Sequence, residues 1–358
     1  MGAILVVKKI NIKASNRNYE VSFINNSKKF LPDLIKKSDF LIIDDFFLKK
    51  KNFKDLSKID KNNIIAIKAN EKSKEFSNLK KIIGELLKKG IKKDSKIIAV
   101  GGGVTQDISA FISSILFRGI EWIFIPTTLL AQGDSCIGSK SSINFNQFKN
   151  QLGTFYPPSK IFIDFSFLKT LSLNNIQSGL GEISHYLIIG SKKSFSILKN
   201  EIDKKQINFF LLISESLKIK KKLVEIDEYD TNERNIFNYG HTFGHAIEST
   251  TNYGISHGIA VSMGIDISNY FSVKYGFLAN EKRLEIKSTL KKLWNKNDFK
   301  KININKIFSA IKNDKKSTNN SINLILCKDY GQVFKYNTKL NLKFENIIHQ
   351  YFDSRQYD

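Results

Sequence analysis

Three of the chain's five histidines occur in the segment Arg234–Glu248, RNIFNYGHTFGHAIE, and in the SHGIAV that follows it. His241 and His245 are four residues apart, so on a helix they share one face. His257 follows in SHG, and a glycine adjoins each of the three, which lets backbone or a ligand approach closely. This pattern is typical of half a metal site. Histidines that only pack or cap a helix are the alternative, because the glutamate of the HExxH zinc motif is missing.

A second segment that could bind a ligand is the glycine-rich turn in KIIAVGGGVTQDISAF. It lies between an apolar strand and an amphipathic helix predicted to start near Thr105. Gly101, Gly102 and Gly103 permit close backbone approach, and the helix N-terminus offers N–H groups to a dinucleotide pyrophosphate. GGGVTQD differs from GxGxxG, so a turn without a ligand is an equal alternative. Asp107 either stabilises the helix dipole or contacts a cofactor.

A long polar stretch, IPTTLLAQGDSCIGSKSSINFNQFKNQLGTFYPP, is predicted to lie between regular elements as a surface loop. It contains side chains that can bind hydroxyls and anionic oxygens, namely Asp134, Lys140, Lys149 and Asn150. Each is ordinary alone, and together they indicate the lining of a site.

These segments must be positioned by two kinds of structure. Apolar runs FLIID, IIAIKA, KIIAV and IEWIFIP, with a helix predicted over Phe76–Lys89, have the rhythm of βαβ units. We therefore predict a Rossmann-like α/β domain with an open parallel sheet over residues 1–165. Residues 166–358 are predicted to form a mainly helical domain, with a hairpin near residue 322 that turns at Asp329–Gly331.

Composition narrows the function classes. The 358 residues include 41% hydrophobic and 25% charged residues, as in globular proteins. The net charge of +23 is spread along the chain as lysine, so we expect no nucleic-acid partner, although the positive field would steer an anionic small substrate. The chain has two cysteines without CxxC spacing and no run of 18 apolar residues, which predicts a cytoplasmic protein without a membrane partner.

The chain of motifs resembles the 3-dehydroquinate synthases and the wider group of sugar-phosphate cyclases. The matching segments are GGGVTQD, FRGIEWIFIPTTLLA, the DS..G.K run, KNQLGTFYPP, GLGEISH, IKKKLVEIDE and NYGHTFGHAIE through SHGIAV, in the family's order and spacing. The part before Gly101 matches less closely.

The resemblance implies a metal site made by Glu182, His241 and His257, which would hold a divalent ion, Zn²⁺ or Co²⁺. Two imidazoles and one carboxylate leave a position open for substrate oxygens, as a catalytic zinc site requires. By the same resemblance His245 is no ligand. It would lie beside the substrate phosphate and relay protons.

The resemblance implies that residues 1–165 bind NAD and that residues 166–358 bind the metal and the substrate. The family reaction uses NAD catalytically. Oxidation of a substrate hydroxyl acidifies the neighbouring C–H, phosphate leaves by β-elimination, the hydride is returned, and an intramolecular aldol step closes the ring. The substrate is a seven-carbon keto acid phosphate of the shikimate pathway. The resemblance thus implies an anionic sugar-phosphate substrate, a site in a cleft between the domains, and a homodimer in which Arg118 reaches the phosphate of the neighbouring subunit.

Further roles follow residue by residue from the resemblance. Cofactor contacts are expected from Asp44 (or its neighbour Asp45), Glu71, Lys74, Gly101, Gly102, Gly103, Asp107, Thr127, Thr128, Lys140, Lys149 and Thr170. Substrate contacts are expected from Asp134, Lys149, Asn150 and Arg118. The catalytic set is Lys140, His245, Lys220, Arg234, Asn238 and His185, of which Arg234 can grip a carboxylate with two parallel bonds.

Several positions depart from the family pattern. His185 stands where the family has a lysine, three residues after the metal glutamate, and it could contact substrate, pack, or approach the metal as a fourth ligand. Asn323 replaces a basic residue, and Ile259 replaces an acidic one. Gln106 and Ser139 each replace a glycine. Two altered polar contacts near substrate leave its identity open.

The sequence leaves four candidate functions for the protein. A 3-dehydroquinate synthase is the first, and a related cyclase acting on a different sugar phosphate is the second. A metal-dependent polyol dehydrogenase shares the glycine-rich turn and histidine site, but Lys140, Lys149, Asn150 and Arg234 have no purpose with an uncharged substrate. A basic binding protein that has lost turnover is the last, and the complete metal set argues against it.

Overall fold

The computed structural model describes residues 6–25, 27–49, 56–146, 148–312, 317–318 and 320–353. The chain divides into two compact units, the first comprising Met1–Leu171 with Val224–Tyr229 and the second Ser172–Leu223 with Asp230–Asp358. The boundary predicted at residue 165 falls at the start of a 3-10 turn, Phe165–Thr170, that ends just before this division.

Seven strands make the main sheet of the first unit: β1 (Val6–Ile12), β2 (Tyr19–Ile24), β3 (Phe40–Asp44), β4 (Ile64–Ile67), β5 (Lys96–Gly101), β6 (Glu121–Pro126) and β9 (Lys160–Asp164). Their spatial order is β1-β2-β9-β6-β5-β3-β4. β1 is antiparallel to β2, and the other pairings are parallel. The predicted open parallel sheet is confirmed, and the four predicted apolar runs are β3, β4, β5 and β6.

Burial explains why those runs form central strands. Leu41, Ile42, Ile43 and the run 97–100 are fully buried, and a parallel strand covered on both faces needs such a continuous apolar run. The helices of this unit are α1 (Ser27–Leu34), α2 (Asp45–Lys49), α3 (Phe76–Lys88) and α4 (Gly103–Ile115). α3 matches the predicted helix to within one residue.

The strand order reverses between β3 and β5. From β3 the chain moves outward to β4, and from the neighbouring β5 it moves the other way to β6. In open α/β sheets the crevice outside the carboxyl ends of strands at such a switch point is where ligands bind. Asp44 ends β3 and Gly101 ends β5, so both lie at this point.

The prediction of a long surface loop after β6 was wrong. This stretch contains a π-helical turn, Ala131–Ser135, and an antiparallel hairpin of β7 (Lys140–Phe145) and β8 (Phe148–Phe155). Its strands are too polar for the periodicity of a buried sheet because one side of the hairpin faces outward. Positive φ at Ser139, Asn146 and Asn150 bends the backbone where the sequence shows only polar residues.

The second unit is mainly helical, as predicted. Its helices are α5 (Leu173–Gly190), α6 (Lys192–Ile202), α7 (Phe209–Ile226, whose end belongs to the first unit), α8 (His241–Thr250), α9 (His257–Lys274), α10 (Asn280–Leu290), α11 (Lys296–Lys300), α12 (Ile304–Lys312) and α13 (Leu342–Asp353). The predicted hairpin is confirmed as β11 (Ser321–Asp329) and β12 (Gln332–Lys339), to which the short β10 (Ser317–Thr318) adds.

Helix α9 is the centre of this unit. Fifteen of its 18 residues are buried, so it has no polar face, as expected of a helix surrounded by others. It packs against α5, α8, α10, α13 and β11. Side chains at its N-terminus are thereby brought between α5 and α8.

Candidate active site

Three helices of the second unit bring a carboxylate and two imidazoles together. Glu182 lies within α5, His241 is the first residue of α8, and His257 is the first residue of α9. One donor atom from each lies within 4.8 Å of the others. Glu182 is 3% exposed, whereas the side chain of His257 is 35% exposed, so the group opens on one side.

Glycines let these helices approach closely enough to converge. A Cβ placed on Gly258 would lie 1.8 Å from the carbonyl oxygen of Ser178, and one on Gly181 would lie 2.0 Å from the carbonyl oxygen of Gly258. A Cβ on Gly264 would lie 2.0 Å from the carbonyl oxygen of Gly240. Backbone therefore packs directly on backbone at the α5–α9 and α8–α9 crossings.

The hydrogen bonds of the two histidine rings determine which nitrogens face the carboxylate. Nδ1 of His257 is 3.0 Å from Oε2 of Glu248, and Nδ1 of His241 is 3.3 Å from the carbonyl oxygen of Tyr239. A carboxylate and a carbonyl only accept, so these bonds assign the proton to Nδ1 in both rings. The lone pairs are then on Nε2, the atoms that face Glu182.

The spacing of the donors fits a divalent ion. Nε2 of His241 is 3.6 Å from Oε1 of Glu182, and Nε2 of His257 is 3.6 Å from Oε2. These distances exceed a hydrogen bond. Two ligands about 2.1 Å from a common tetrahedral ion are about 3.4 Å apart, which is close to the observed spacing. Two neutral imidazoles and a carboxylate suit Zn²⁺ or Co²⁺.

His245 lies beside this group but is exposed to solvent. Its ring centroid is 5.6 Å from that of His241 and 5.8 Å from that of His257. Its donor atoms also cluster with those of Glu248 and His257 within 4.8 Å. The structure thus contains a second group of donors that shares His257 with the first.

His185 is completely buried on α5, one turn after Glu182. Its ring contacts Tyr186 and His241 at centroid distances of 4.7 and 5.2 Å, and Phe237 and Tyr239 lie slightly farther away. Nδ1 is 4.0 Å from Oε1 of Glu182. Among the described residues His185 belongs to neither cluster of metal donors.

Two buried cations and an amide predicted for substrate lie in the same unit. Lys220 on α7 is 5% exposed, with its Nζ 5.8 Å from the ring centroid of Tyr186, the neighbour of His185. Arg234 is 4% exposed in the 3-10 turn Glu233–Asn238. Asn238 ends that turn and donates to the carbonyl oxygen of Asn235. The turn leads directly into His241.

In the first unit the glycine turn joins β5 to α4, which begins at Gly103 rather than near Thr105. A Cβ on Gly101 would collide with Thr105, and one on Gly102 would lie 2.8 Å from Cγ2 of Thr128. A Cβ on Gly103 would meet nothing within 4 Å, so the turn is open there. A helix N-terminus with open space beside it suits a pyrophosphate.

The remaining residues predicted to contact the cofactor lie at strand ends or in short turns of the first unit. Asp45 pairs with Lys49, whereas burial raises the pKa of Asp44, whose Oδ1 accepts from the backbone N–H of Phe46 at 3.1 Å. The threonines predicted as cofactor contacts follow β6 or end the 3-10 turn before α5: Thr127, Thr128 and Thr170.

Lys74 is the centre of a polar cluster that joins three elements. It is 6% exposed, and its Nζ contacts Oδ2 of Asp107 at 2.8 Å, Oδ1 of Asn150 at 3.0 Å and Oγ of Ser142 at 3.1 Å. Ser142 donates to Asp107 through both its N–H and its hydroxyl, each at 3.0 Å. Burial raises the pKa of Asp107, although the Lys74 ammonium opposes that shift.

Glu71 completes this cluster at its edge, with Oε1 3.7 Å from Nζ of Lys74. Asn144 donates to that carboxylate and accepts from the backbone N–H of Asn150. The hairpin is therefore tied to α4 and to the turn Glu71–Lys74. We call Glu71, Lys74, Asp107, Ser142, Asn144 and Asn150 the hairpin cluster.

The two hairpin lysines lie at opposite ends of the hairpin. Lys140 begins β7 opposite Phe155, whereas Lys149 is near the other end, beside Asn150. Four residues of strand separate Lys140 from Asn144, about 13 Å. The backbones of Lys140 and Lys149 are therefore well separated along the hairpin.

Asp134 lies in the π-helical turn, an irregular geometry that often marks functional sites. Gln106 holds the next residue, since its Nε2 donates to the carbonyl oxygen of Ser135 at 2.6 Å and its Oε1 accepts from the Ser135 hydroxyl at 2.7 Å. The glutamine that replaces the family's glycine thus ties α4 to the turn that carries Asp134.

Arg118 is exposed on a turn with unusual backbone angles. Phe117 and Arg118 have φ of 49° and 64°, and Gly119 follows with φ of 117°. Positive φ at consecutive non-glycine residues is uncommon and marks functional positions. Phe117, next to it, is also exposed.

Sequence reasoning missed Glu248, Ser142 and Asn144, which hold predicted site residues in place. Glu248 stands seven residues after His241, two helical turns along the same face, and that spacing was a usable signal. Ser142 and Asn144 gave none, because their partners Asp107 and Glu71 are 35 and 73 residues away in the chain. Of the other departures, Asn323 accepts from Asn337 across the β11–β12 hairpin, and Ile259 is buried in the core.

Solved structures first show which fold this architecture has. A 2-deoxy-scyllo-inosose synthase complexed with carbaglucose-6-phosphate, NAD⁺ and Co²⁺ matches with a TM-score of 0.83 at 21% identity, over 96% of this chain and 99% of that one. A 2-epi-5-epi-valiolone synthase from Streptomyces hygroscopicus with NAD⁺ and Zn²⁺ matches with a TM-score of 0.81 at 20% identity, over the same shares. The fold is that of the sugar-phosphate cyclases.

Sequence comparison then identifies the family. The family models 3-dehydroquinate synthase N-terminal and 3-dehydroquinate synthase C-terminal match residues 64–178 and 179–317. The 3-dehydroquinate synthase of Dictyoglomus turgidum is 40% identical over 304 residues, 83% of this chain and 84% of that protein. The chain belongs to the 3-dehydroquinate synthase family, which confirms the predicted fold class and enzyme type, a phosphate-eliminating cyclase.

No helix among the described residues is long and apolar enough to span a bilayer.

Proposed function

We propose that the protein is a 3-dehydroquinate synthase that converts a seven-carbon keto acid phosphate into a carbocycle with release of phosphate, using NAD and a divalent metal. The observation that carries the proposal is the convergence of Glu182, His241 and His257 at ion-like spacing. The cofactors are those predicted from the sequence, and they agree with the NAD⁺, Co²⁺ and Zn²⁺ bound by the two structural relatives.

When bound, the metal supplies Lewis acidity and NAD supplies a reversible hydride acceptor. Glu182, His241 and His257 hold the metal. Lys220 and Arg234 are buried cations that bind the anionic ends of the substrate, and Arg234 grips the carboxylate with two parallel bonds. His245, exposed beside the donors, takes and returns a proton at a ring nitrogen.

For the cofactor, the turn after β5 binds the pyrophosphate through its backbone N–H groups, with Gly103 on the open side. Asp44 takes the ribose hydroxyls at the end of β3. Asp107 supports this region indirectly, because its carboxylate oxygens already accept from Ser142 and Lys74. Lys140, Lys149 and Asp134 complete the proposed set of polar contacts.

The direct test incubates purified protein with NAD, Zn²⁺ and the seven-carbon keto acid phosphate. We expect inorganic phosphate to be released without net accumulation of NADH. A matched pair of variants serves as control: Glu182→Gln should be inactive, and Glu281→Gln, which removes an exposed carboxylate on α10, should be active. NADH accumulation with a simple polyol and no phosphate release would instead identify a dehydrogenase.

A cyclase with a different sugar phosphate is the second candidate, and His185 favours it. The family's lysine at this position would provide a fixed cation, whereas the buried imidazole sits among aromatic rings. The same assay with a sugar phosphate that lacks a carboxylate tests this. Phosphate release from that compound, and none from the keto acid phosphate, would replace the first candidate by the second.

The proposal includes a homodimer in the cytoplasm, with Arg118 acting on the neighbouring subunit's substrate. The exposed turn that presents Arg118 and Phe117 supports it. Mixing Arg118→Ala protein with Glu182→Gln protein under exchange conditions tests it, because a mixed dimer has one complete site. We expect roughly a quarter of normal activity from two inactive parents. No recovery, with a monomer in sedimentation, would contradict the dimer.

A further inference from the structure

We infer that Glu248 is a positioning residue of the metal centre, whose carboxylate orients the His257 ring so that Nε2 points to the metal. This inference rests on the proposed function, since it concerns the same metal. Glu248 lies on α8, two turns after His241, and its side chain is 13% exposed. Its role is to hold a ligand of the metal.

The contact between Glu248 and His257 determines the tautomer of the ring. Oε2 of Glu248 accepts from Nδ1 of His257 at 3.0 Å, which leaves the lone pair on Nε2. A carboxylate behind a ligating histidine fixes ring orientation and makes the other nitrogen a stronger donor to the metal. His241 has a backbone carbonyl in the equivalent place.

His257 has particular need of such a partner because it is the most exposed of the three proposed ligands. Its side chain is 35% exposed, against 14% for His241 and 3% for Glu182. The backbone beside it is held by α5, since the N–H of Gly258 donates to the hydroxyl of Ser178 at 3.1 Å. The ring itself still requires a restraint, and Glu248 provides it.

The donors of His245, Glu248 and His257 also lie within 4.8 Å of one another, so an ion between them is the competing interpretation. The distances between the donor atoms decide between the two interpretations. The spacing of 3.6 Å from Glu182 to each histidine accommodates an ion whose ligands are about 3.4 Å apart. The 3.0 Å from Glu248 to His257 is the length of an N–H···O bond. A proton therefore occupies the second position and the metal the first.

Metal affinity and the visible spectrum of bound Co²⁺ test this in the full-length protein. We expect Glu248→Gln, which keeps the size of the side chain, to weaken Co²⁺ binding about 10- to 100-fold in competition with a chelator. At saturating Co²⁺ its ligand-field absorption should shift, because a neutral amide oxygen accepts the Nδ1–H bond more weakly than a carboxylate and leaves Nε2 of His257 a weaker donor to the metal. Glu281→Gln is the matched control, and thermal unfolding of the metal-free proteins checks that Glu248→Gln still folds.

His245→Asn and Glu182→Gln make the outcomes distinguishable. We expect His245→Asn to bind Co²⁺ with the affinity and spectrum of the unaltered protein, and Glu182→Gln to lose binding. Unchanged affinity and spectrum in Glu248→Gln would overturn the inference and leave the proposed function intact. Two ions per chain, one of them lost in His245→Asn, would overturn it in favour of a second metal site. An unaltered protein that binds no metal would refute the proposed function itself.

Discussion

In the second unit, close contacts between helix backbones bring the three metal donors together, whereas in the first unit the polar side chains of the hairpin cluster hold one another. Gly181, Gly258 and Gly264 lie at the helix crossings, where backbone packs on backbone. In the hairpin cluster, Lys74 and Asp107 are predicted site residues that also hold the structure together. They contact each other, and Asp107 on α4 accepts from Ser142 of the hairpin.

This difference determines whether each group of side chains can bind a ligand or mainly stabilises the fold. The donors of Glu182 face two imidazole lone pairs at distances too long for hydrogen bonds, so an ion can enter without displacing the structure. The oxygens of Asp107 are engaged by Lys74 and Ser142, so they stabilise the region that carries the glycine turn. Loss of a metal donor should therefore affect function, and loss of a cluster member should affect stability.

The largest expected effect is on the metal centre. Glu182→Gln should reduce phosphate release about 10³-fold or more, because the metal contributes several kcal/mol to transition-state stabilisation. In the absence of metal, the free energy of unfolding of the variant should be at least as high as that of the unaltered protein. A carboxylate that is only 3% exposed is costly to bury. Metal content by mass spectrometry and urea unfolding measure both. Strong destabilisation of the metal-free variant would show that this donor also holds the helices together.

In the hairpin cluster the order of effects should reverse. Lys74→Met leaves the partly buried carboxylate of Asp107 without its ammonium partner, and we expect the free energy of unfolding to fall by about 3 kcal/mol. Asp107→Asn in the same protein should restore much of this, because no charge is then left to bury. An additive double variant in urea unfolding would mean that the two side chains do not interact.

The pH dependence of the Lys74→Met protein follows from the pKa of Asp107. Burial raises this pKa, and loss of Lys74 raises it further. A carboxyl whose pKa is higher in the folded than in the unfolded state favours folding at low pH and disfavours it as pH rises through the folded-state pKa. The stability gap to the unaltered protein should thus be widest at neutral pH and narrow towards acid pH, as urea unfolding at several pH values would measure.

The two regions also differ in how far the sequence could predict them. The metal donors lie in motifs whose order and spacing are family-specific, and helix periodicity relates His241 to His245 and Glu248. The central strands were predictable because continuous apolar runs leave few alternatives. The hairpin could not be predicted, because Lys140–Phe155 is polar. Its position depends on hydrogen bonds to Lys74 and Asp107, which are far away in the chain. Long-range polar contacts leave no periodic signal.

The helix crossings offer a test with an internal control. Gly258→Ala would place a methyl 1.8 Å from the Ser178 carbonyl, so α5 and α9 must separate, which we expect to cost about 2 to 3 kcal/mol and to weaken metal binding. Gly84→Ala in α3 adds the same methyl where nothing lies within 4 Å, and should stabilise by about 0.5 to 1 kcal/mol. Urea unfolding of both variants measures the contrast, and equal effects would mean that the crossing tolerates a side chain.

A similarly small effect is expected at Ser139, at the base of the hairpin beside Lys140. It has φ of 63°, where the family has glycine, and among the described residues its buried hydroxyl has no hydrogen-bond partner. Ser139→Gly removes both the left-handed strain and the buried polar group, so we expect stabilisation by about 1 kcal/mol. Ser141→Gly is the contrasting variant, because the Ser141 hydroxyl bonds Thr154, and it should destabilise. Thermal and urea unfolding would measure both changes, and a destabilising Ser139→Gly would mean that the serine makes a contact that offsets its strain.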